Sequence, residues 1–216
     1  MRFQKRVFSL IGLSFVMCVG AHAQTNNKWY AGAEFGVTSI KDNSSDIANS
    51  LTSVLGGTAN VGRDTNTSAT RLYGGYNFNN YIAAEIGYLQ SSDNKTRISG
   101  TSGGLTPYTG SGTVSISGAD ISAIFRPNPN RNFGSGLFLR AGISSYTTKT
   151  SVTIASGGSS FSQSGSDSGS GANIGIGYDI PAGPGNVRVA YTNMSNLSGK
   201  SNNSVDAFSI GYQLNF

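Results

Sequence analysis

Phe208-Ser209-Ile210-Gly211-Tyr212-Gln213-Leu214-Asn215-Phe216 closes the sequence, and its reading decides the fold. Phe208, Ile210, Tyr212, Leu214 and Phe216 are apolar or aromatic, whereas Ser209, Gly211, Gln213 and Asn215 are small or polar. Alternation of this kind is the period of a β-strand with one apolar and one polar face. A strand in a soluble sandwich alternates in the same way, so the stretch alone leaves two architectures open. The rest of the chain has to choose between them.

At the other end, Arg2, Lys5 and Arg6 precede an apolar run from Val7 to Val19, and Ala21-His22-Ala23 offers the small residues of a cleavage site. That is the pattern of a secretory signal peptide, with an apolar run too short for the roughly 20 residues of a membrane helix. Residues 1–23 are expected to be removed and 24–216 to form one domain. Cys18 follows Met17, where a lipoprotein signal has a small residue, so no lipid anchor is expected. The only cysteine and the only histidine, Cys18 and His22, both precede the cleavage site. The mature chain is therefore expected to have no disulfide, no thiol nucleophile and no imidazole. Three of the fifteen Lys and Arg residues leave with the signal, and the net charge falls from +5 to +2. Nothing in that balance points to a nucleic-acid partner. Charged residues are 12% and hydrophobic residues 37% of the chain, both low for a soluble domain. A barrel in a membrane needs neither a large core nor a charged surface, and no mature segment could form a membrane helix, so a spanning chain of this composition must be a barrel.

Further strands follow the same alternation. Trp29 to Val37 places Trp29, Ala31, Ala33, Phe35 and Val37 on one face. Ala69–Asn77, Tyr81–Leu89, Leu137–Tyr146, a segment at Asn173–Asp179 and one at Val187–Thr192 repeat the pattern. The fourth strand changes phase: Val114 and Ile116 alternate in one register, Ala119, Ile121, Ala123 and Phe125 in the other. Gly118 lies at the change, so a bulge is expected there. Asn79-Asn80, Pro127 to Asn130 and Pro181 to Gly185 read as short turns. Lys41–Thr67, Gln90–Gly112, the Ser/Gly tract Ala155–Gly171 and Ser195–Ser204 read as long loops. Within the first, Ile47, Leu51, Val54 and Leu55 fall at helical spacing before Gly56-Gly57, which predicts a short helix.

Eight strands with alternating long and short connections describe an all-β, antiparallel up-and-down barrel. Trp29, Phe78, Phe125, Tyr178 and Phe216 gather at the end that holds both termini, and Tyr88, Tyr191 and Phe208 toward the other, as interfacial aromatic belts require. With these residues in view, the chain resembles the OmpA-like small outer-membrane β-barrels, which include adhesins and surface antigens and end on an aromatic residue. The resemblance implies a Gram-negative outer membrane, with lipid, periplasmic chaperones and the barrel assembly machinery as partners. It also implies that Phe208, Ile210, Tyr212, Leu214 and Phe216 are an assembly signal. OmpA itself carries a peptidoglycan-binding domain after its barrel, for which this sequence has no counterpart, so cell-wall anchoring by that route is not expected.

The inward phase carries Glu34, Arg71, Glu85, Asp120, Arg126, Arg140, Asp179 and Arg188, four acids and four arginines. Pairing is expected, because an isolated buried charge is very costly. Adjacent strands suggest Glu34 with Arg71, Asp120 with Arg140, and Asp179 with Arg188. Such a set either fills a narrow barrel with ion pairs or lines a gated pore. Catalysis finds no general base, and neither a cofactor nor a metal site is expected; Asp42, Asp46 and Asp93 are too sparse for a cation. Gly175 and Gly177 alternate along a strand and so belong to the lumen, not to a phosphate loop. Charges in the loops nearly cancel: Lys41, Arg63, Lys95, Arg97, Lys149 and Lys200 against Asp42, Asp46, Asp64, Asp93, Asp167 and Asp206. Function is therefore expected in the loops, as envelope structure and adhesion to a host or surface ligand. The alternative is a small porin or hydrophobic-compound channel.

Overall fold

The computed structural model describes residues 28–104, 106–129, 136–195 and 204–216. The signal peptide expected at 1–23, most of the turn after Pro129 and most of the last loop lie outside them. Among the described residues, ten strands form one antiparallel sheet: β1 (Trp29–Ile40), β2 (Thr58–Arg63), β3 (Asn66–Asn77), β4 (Ile82–Ser91), β5 (Asn94–Thr101), β6 (Pro107–Phe125), β7 (Leu137–Ser156), β8 (Ser159–Ala182), β9 (Gly185–Met194) and β10 (Val205–Asn215). Eight of them close a ring in the order β1, β3, β4, β6, β7, β8, β9, β10. The closing seam runs from Tyr30 opposite Asn215 to Ile40 opposite Val205. Beyond it, Trp29 and Phe216 exchange two backbone hydrogen bonds of 3.0 and 2.9 Å. The terminal stretch is thus the strand that closes the eight-strand ring and removes its two edges.

The alternation places the apolar residues outside. Trp29, Phe35, Leu72, Ile86, Ile121, Ile143, Ile174, Phe208 and Ile210 are all exposed, while Arg188, Glu85, Glu34 and Asp120 are buried. A protein surrounded by water would bear an apolar surface of this extent badly; hydrocarbon matches it. All eight belt aromatics are exposed, and Tyr76 makes edge-to-face contacts with Trp29 and Phe78 at 4.7 and 5.3 Å. Eight residue steps separate Phe208 from Phe216. That is about 27 Å along the strand, or roughly 20 Å of height at a tilt of about 40°, close to the apolar band of an outer-membrane barrel.

Three expectations are corrected. First, β6 has no bulge at Gly118. Its register with β7 is unbroken from Tyr108 opposite Ser156 to Phe125 opposite Leu139. Val114 and Ile116 share the inward phase with Asp120, and the hydropathy pattern shifts because the inner face itself turns apolar near the top. Gly118 is required for space: a Cβ there would strike the Ser145 carbonyl and the Tyr146 ring. Gly118→Val should lower stability by about 1–3 kcal/mol through overpacking, read as a shift of the urea midpoint in vesicles.

Second, Ala155–Gly171 is not a loop. β7 and β8 continue through it as a ladder of 20 and 24 residues, joined at Gly157-Gly158 with φ of 55° and 84°. Two positive φ angles are what a two-residue hairpin turn demands. A membrane strand needs only about 9–11 residues, so roughly half of this hairpin projects beyond the lipid. Paired hydroxyls, Thr147 with Ser168 and Thr153 with Ser162, both 2.9 Å apart, lie across it.

Third, the first two long loops also contain strands: β2 pairs with β5, and β5 with the upper part of β6. The predicted helix, α1 (Ser44–Leu55), does form. It ends at Gly56 with φ 66°, whose N–H donates to the Thr52 carbonyl. The turn at Asn79 is held by its side-chain oxygen, which accepts from the N–H groups of Tyr81 and Ile82, each at 2.8 Å.

Candidate functional site

Within the ring, the inward side chains stack in three layers. The lowest, beside the aromatic end of β10, packs Tyr30, Tyr73, Ala83, Ile124, Phe138 and Ala190. The uppermost packs Leu89, Ile116, Tyr146, Met194 and Val205, with Ile40 and Ala207 against them. The charges lie between.

Glu85, on β4, is their centre. Its Oε1 accepts from Arg71 Nη2 and Arg140 Nη2, each at 2.9 Å, and its Oε2 from Arg188 Nη1 at 2.7 Å. Tyr30 donates its hydroxyl to the same Oε2 at 3.3 Å. Arg71 holds both oxygens of Asp120 through Nε and Nη2, at 3.0 and 2.7 Å. Arg188 holds both oxygens of Asp179 through Nε and Nη2, at 2.7 and 3.1 Å, and also donates to Gln213 at 2.7 Å. Glu34 takes Arg140 at 3.4 Å and Ser209 at 3.2 Å, with Arg71 and Arg188 farther off at 3.7 and 3.8 Å. Arg126 sits lower, 3.8 Å from Asp179 and hydrogen-bonded to Asn77 at 3.1 Å.

All eight inward charges read from the sequence thus lie in one connected group. Two pairings, Glu34 with Arg71 and Asp179 with Arg188, occur between neighbouring strands. The third expectation is corrected: Asp120 turns to Arg71, two strands away, and Arg140 to Glu34 and Glu85. The strands run obliquely around the barrel, so residues level with one another across the lumen need not face each other in a ladder. Bidentate contacts suit arginine's planar fork and replace much of the hydration that burial removes.

The aromatic floor also belongs to this arrangement. Arg188 lies 4.5 Å from the Phe138 ring centre and 4.8 Å from that of Tyr73, close enough for cation–π attraction. Glycines clear the room these side chains take. A Cβ at Gly87 would meet the Arg71 guanidinium, and one at Gly177 would meet the Phe138 ring. Tyr30, Tyr73 and Phe138 fall in the inward phase of their strands, which is the sequence signal that could have marked them. Among the described residues, no group of three possible ligands is disposed to hold a metal.

Among the described residues, a cavity of about 30 Å³ lies between the charges and the apolar cap, bordered by Arg71, Arg140, Asn173 and Met194, room for a water or two.

A closed eight-strand ring with apolar outside and charged inside is matched by the family model described as outer membrane protein beta-barrel domain, over residues 9–216. The chain belongs to that family. It is accordingly an outer-membrane protein in contact with lipid. Among solved structures, it is similar to the attachment invasion locus protein Ail of Yersinia pestis, crystallised with the heparin analogue sucrose octasulfate. That likeness has 17% identity and a TM-score of 0.47, and covers 88% of this chain and 99% of Ail. Neisserial surface protein A is 15% identical, with a TM-score of 0.38, over 88% of this chain and 98% of that one. OprG of Pseudomonas aeruginosa is 13% identical, with a TM-score of 0.44, over 88% and 96%. No curated protein matches the chain.

Proposed function

We propose that this outer-membrane barrel is a non-enzymatic structural and surface-interaction protein whose membrane part is a sealed scaffold and whose extracellular sheet makes the contacts. The filled interior carries this reading. Two apolar layers enclose a dense ion-pair layer, and the cavity between the charges and the upper apolar layer is of water size. An ion crossing it would have to part several buried bidentate pairs, at several kcal/mol each. The projecting hairpin of β7 and β8 has the solvent-facing Ser, Thr and Gly composition of a contact surface, and its charges are few. Assembly through the β10 aromatics by the barrel machinery, with chaperone delivery, belongs to the same proposal, as does a host or surface ligand.

The competing reading is a porin or hydrophobic-compound channel, and two measurements separate them. In planar bilayers the purified protein should add no steady conductance above background; sustained opening would overturn the sealed scaffold. Shortening the hairpin by removing residues 150–165 should leave insertion intact and reduce adherence of expressing cells to a host-cell or abiotic surface. Unchanged adherence would remove the contact role of that hairpin.

A further inference from the structure

Above the apolar cap the inner face of the sheet carries further apolar residues, Ile98, Tyr108, Val152, Ile154 and Phe161, along β5, β6, β7 and β8, among polar ones such as Thr150 and Gln163. Helix α1 stands opposite, yet none of its residues is buried. Ile47, Leu51 and Leu55 instead face a chamber of about 700 Å³, open to solvent, with Tyr108, Ile154 and Phe161 opposite and Asp46 and Gln163 among its polar lining. Ile47 also borders a second hollow of about 270 Å³ that contains Arg63, Asn43 and Ile98. Volumes of this order, apolar with a few polar groups, are typical of small-molecule sites.

Arg63 supplies the polar group. Its Nη1 donates to Asn43 Oδ1, but its Nε is buried without an acceptor, an arrangement that costs free energy until an acceptor arrives. Asp42, whose charge acts on Arg63, takes its hydrogen bond from the Ser44 N–H at 2.9 Å, and that bond, with the Arg63 charge behind it, holds the carboxyl below its usual range. Asp167 borders the same hollow and limits the charge a ligand may carry. On the outer face at this height β6 presents Ser111, Thr113 and Ser115 in place of Ile121 and Phe125, so the chamber stands above the lipid. A bilayer lipid would have to leave the membrane to enter.

We propose that the chamber binds a free medium-chain carboxylate, its acyl chain between α1 and the sheet and its carboxylate on the Arg63 guanidinium. The proposal is independent of whether the hairpin adheres to anything.

The test uses the full mature chain in phospholipid nanodiscs, with empty nanodiscs subtracted, and titrates hexanoate, octanoate and decanoate. Affinity should rise about fourfold for each added methylene. A diazirine-bearing decanoate should label residues 44–55 and 154–163. Leu51→Asp lies on a helix with no buried residue, so heat-modifiable mobility should persist while labelling is lost. Arg63→Gln should weaken decanoate about tenfold and leave decanol unchanged. Labelling confined to outward-facing barrel residues, or undiminished in Leu51→Asp, would overturn the site. Equal decanoate binding by Arg63→Gln would overturn the carboxylate assignment. Labelling of α1 by a diazirine phospholipid, but not by the free acid, would overturn the free ligand in favour of a membrane lipid.

Discussion

Replacing Glu85 with Ala will destabilise the barrel more than any other single lumenal substitution. Three guanidinium groups, those of Arg71, Arg140 and Arg188, converge on its two oxygens at 2.7–2.9 Å. Arg71 and Arg188 keep Asp120 and Asp179, whereas Arg140 is left, among the described residues, with Glu34 at 3.4 Å and the Thr192 hydroxyl at 3.1 Å. Removing one member of a buried ion pair typically costs about 3–5 kcal/mol, because the remaining charge is left uncompensated. Here several remain. The loss should appear as a fall of about 1–5 M in the urea midpoint for vesicle-folded protein, at the slope of about 1–3 kcal/mol per molar of small proteins. Glu85→Gln, which keeps the shape and one acceptor, should fall between the two.

A second variant separates charge from packing. Glu85→Leu combined with Arg140→Leu removes one charge of each sign and should be less damaging than the sum of the single changes, by about 0.5–3 kcal/mol. Additive losses would mean that Glu85 acts through volume alone, and the ion-pair layer would lose its structural role.

How much of this was legible in the sequence depended on contrast. Phe208–Phe216 alternates sharply because lipid lies on one side and polar groups on the other, and from that the ring of eight strands could be assembled. Where the contrast disappears, so does the signal. Ser159 to Ala172 form a regular ladder with β7, but serine and glycine on both faces leave nothing for periodicity to detect. The phase change near Gly118 misled for the opposite reason. Ile116 is apolar and inward, whereas Ala119, Ile121, Ala123 and Phe125 of the same strand are apolar and outward, so a polarity shift within one face resembles a shift of register.

The charge layer divides similarly. Which residues point inward follows from alternation, and all eight do. Which acid each arginine meets depends on the stagger of the whole barrel. Arg188 and Glu85 lie 103 positions apart and on strands that are not neighbours, so no count along adjacent strands could join them. Tyr30, Tyr73 and Phe138 were in the correct phase, but their role under Arg188 appears only when the layers stack.

Deleting Phe216 will reduce outer-membrane insertion far more than it reduces the stability of the folded barrel. In the folded state the residue contributes two backbone bonds to Trp29 at the foot of the seam and a half-exposed ring in the aromatic belt. Two net hydrogen bonds are worth about 1–3 kcal/mol, and a terminal pair that frays contributes at the low end. On stability alone, losing about 1–2 kcal/mol would change abundance several-fold. A larger fall in the heat-modifiable, membrane-inserted form, together with spontaneous refolding into vesicles near the wild-type yield, would place the defect in recognition before closure. Phe216→Trp should then insert like wild type, because it retains an aromatic end, and Phe216→Ala should behave like the deletion. The physical reason is the seam itself. β1 and β10 are the two edges of an open sheet until they meet, and an open edge in hydrocarbon leaves a row of backbone groups unsatisfied. A device that finds the last strand early and holds it until β1 arrives avoids that state, and an aromatic residue at the interface is a natural handle for it. If Phe216→Ala inserts as efficiently as wild type in cells, the handle lies elsewhere, with Tyr212 and Phe208 on the same outward face as the residues to exchange next.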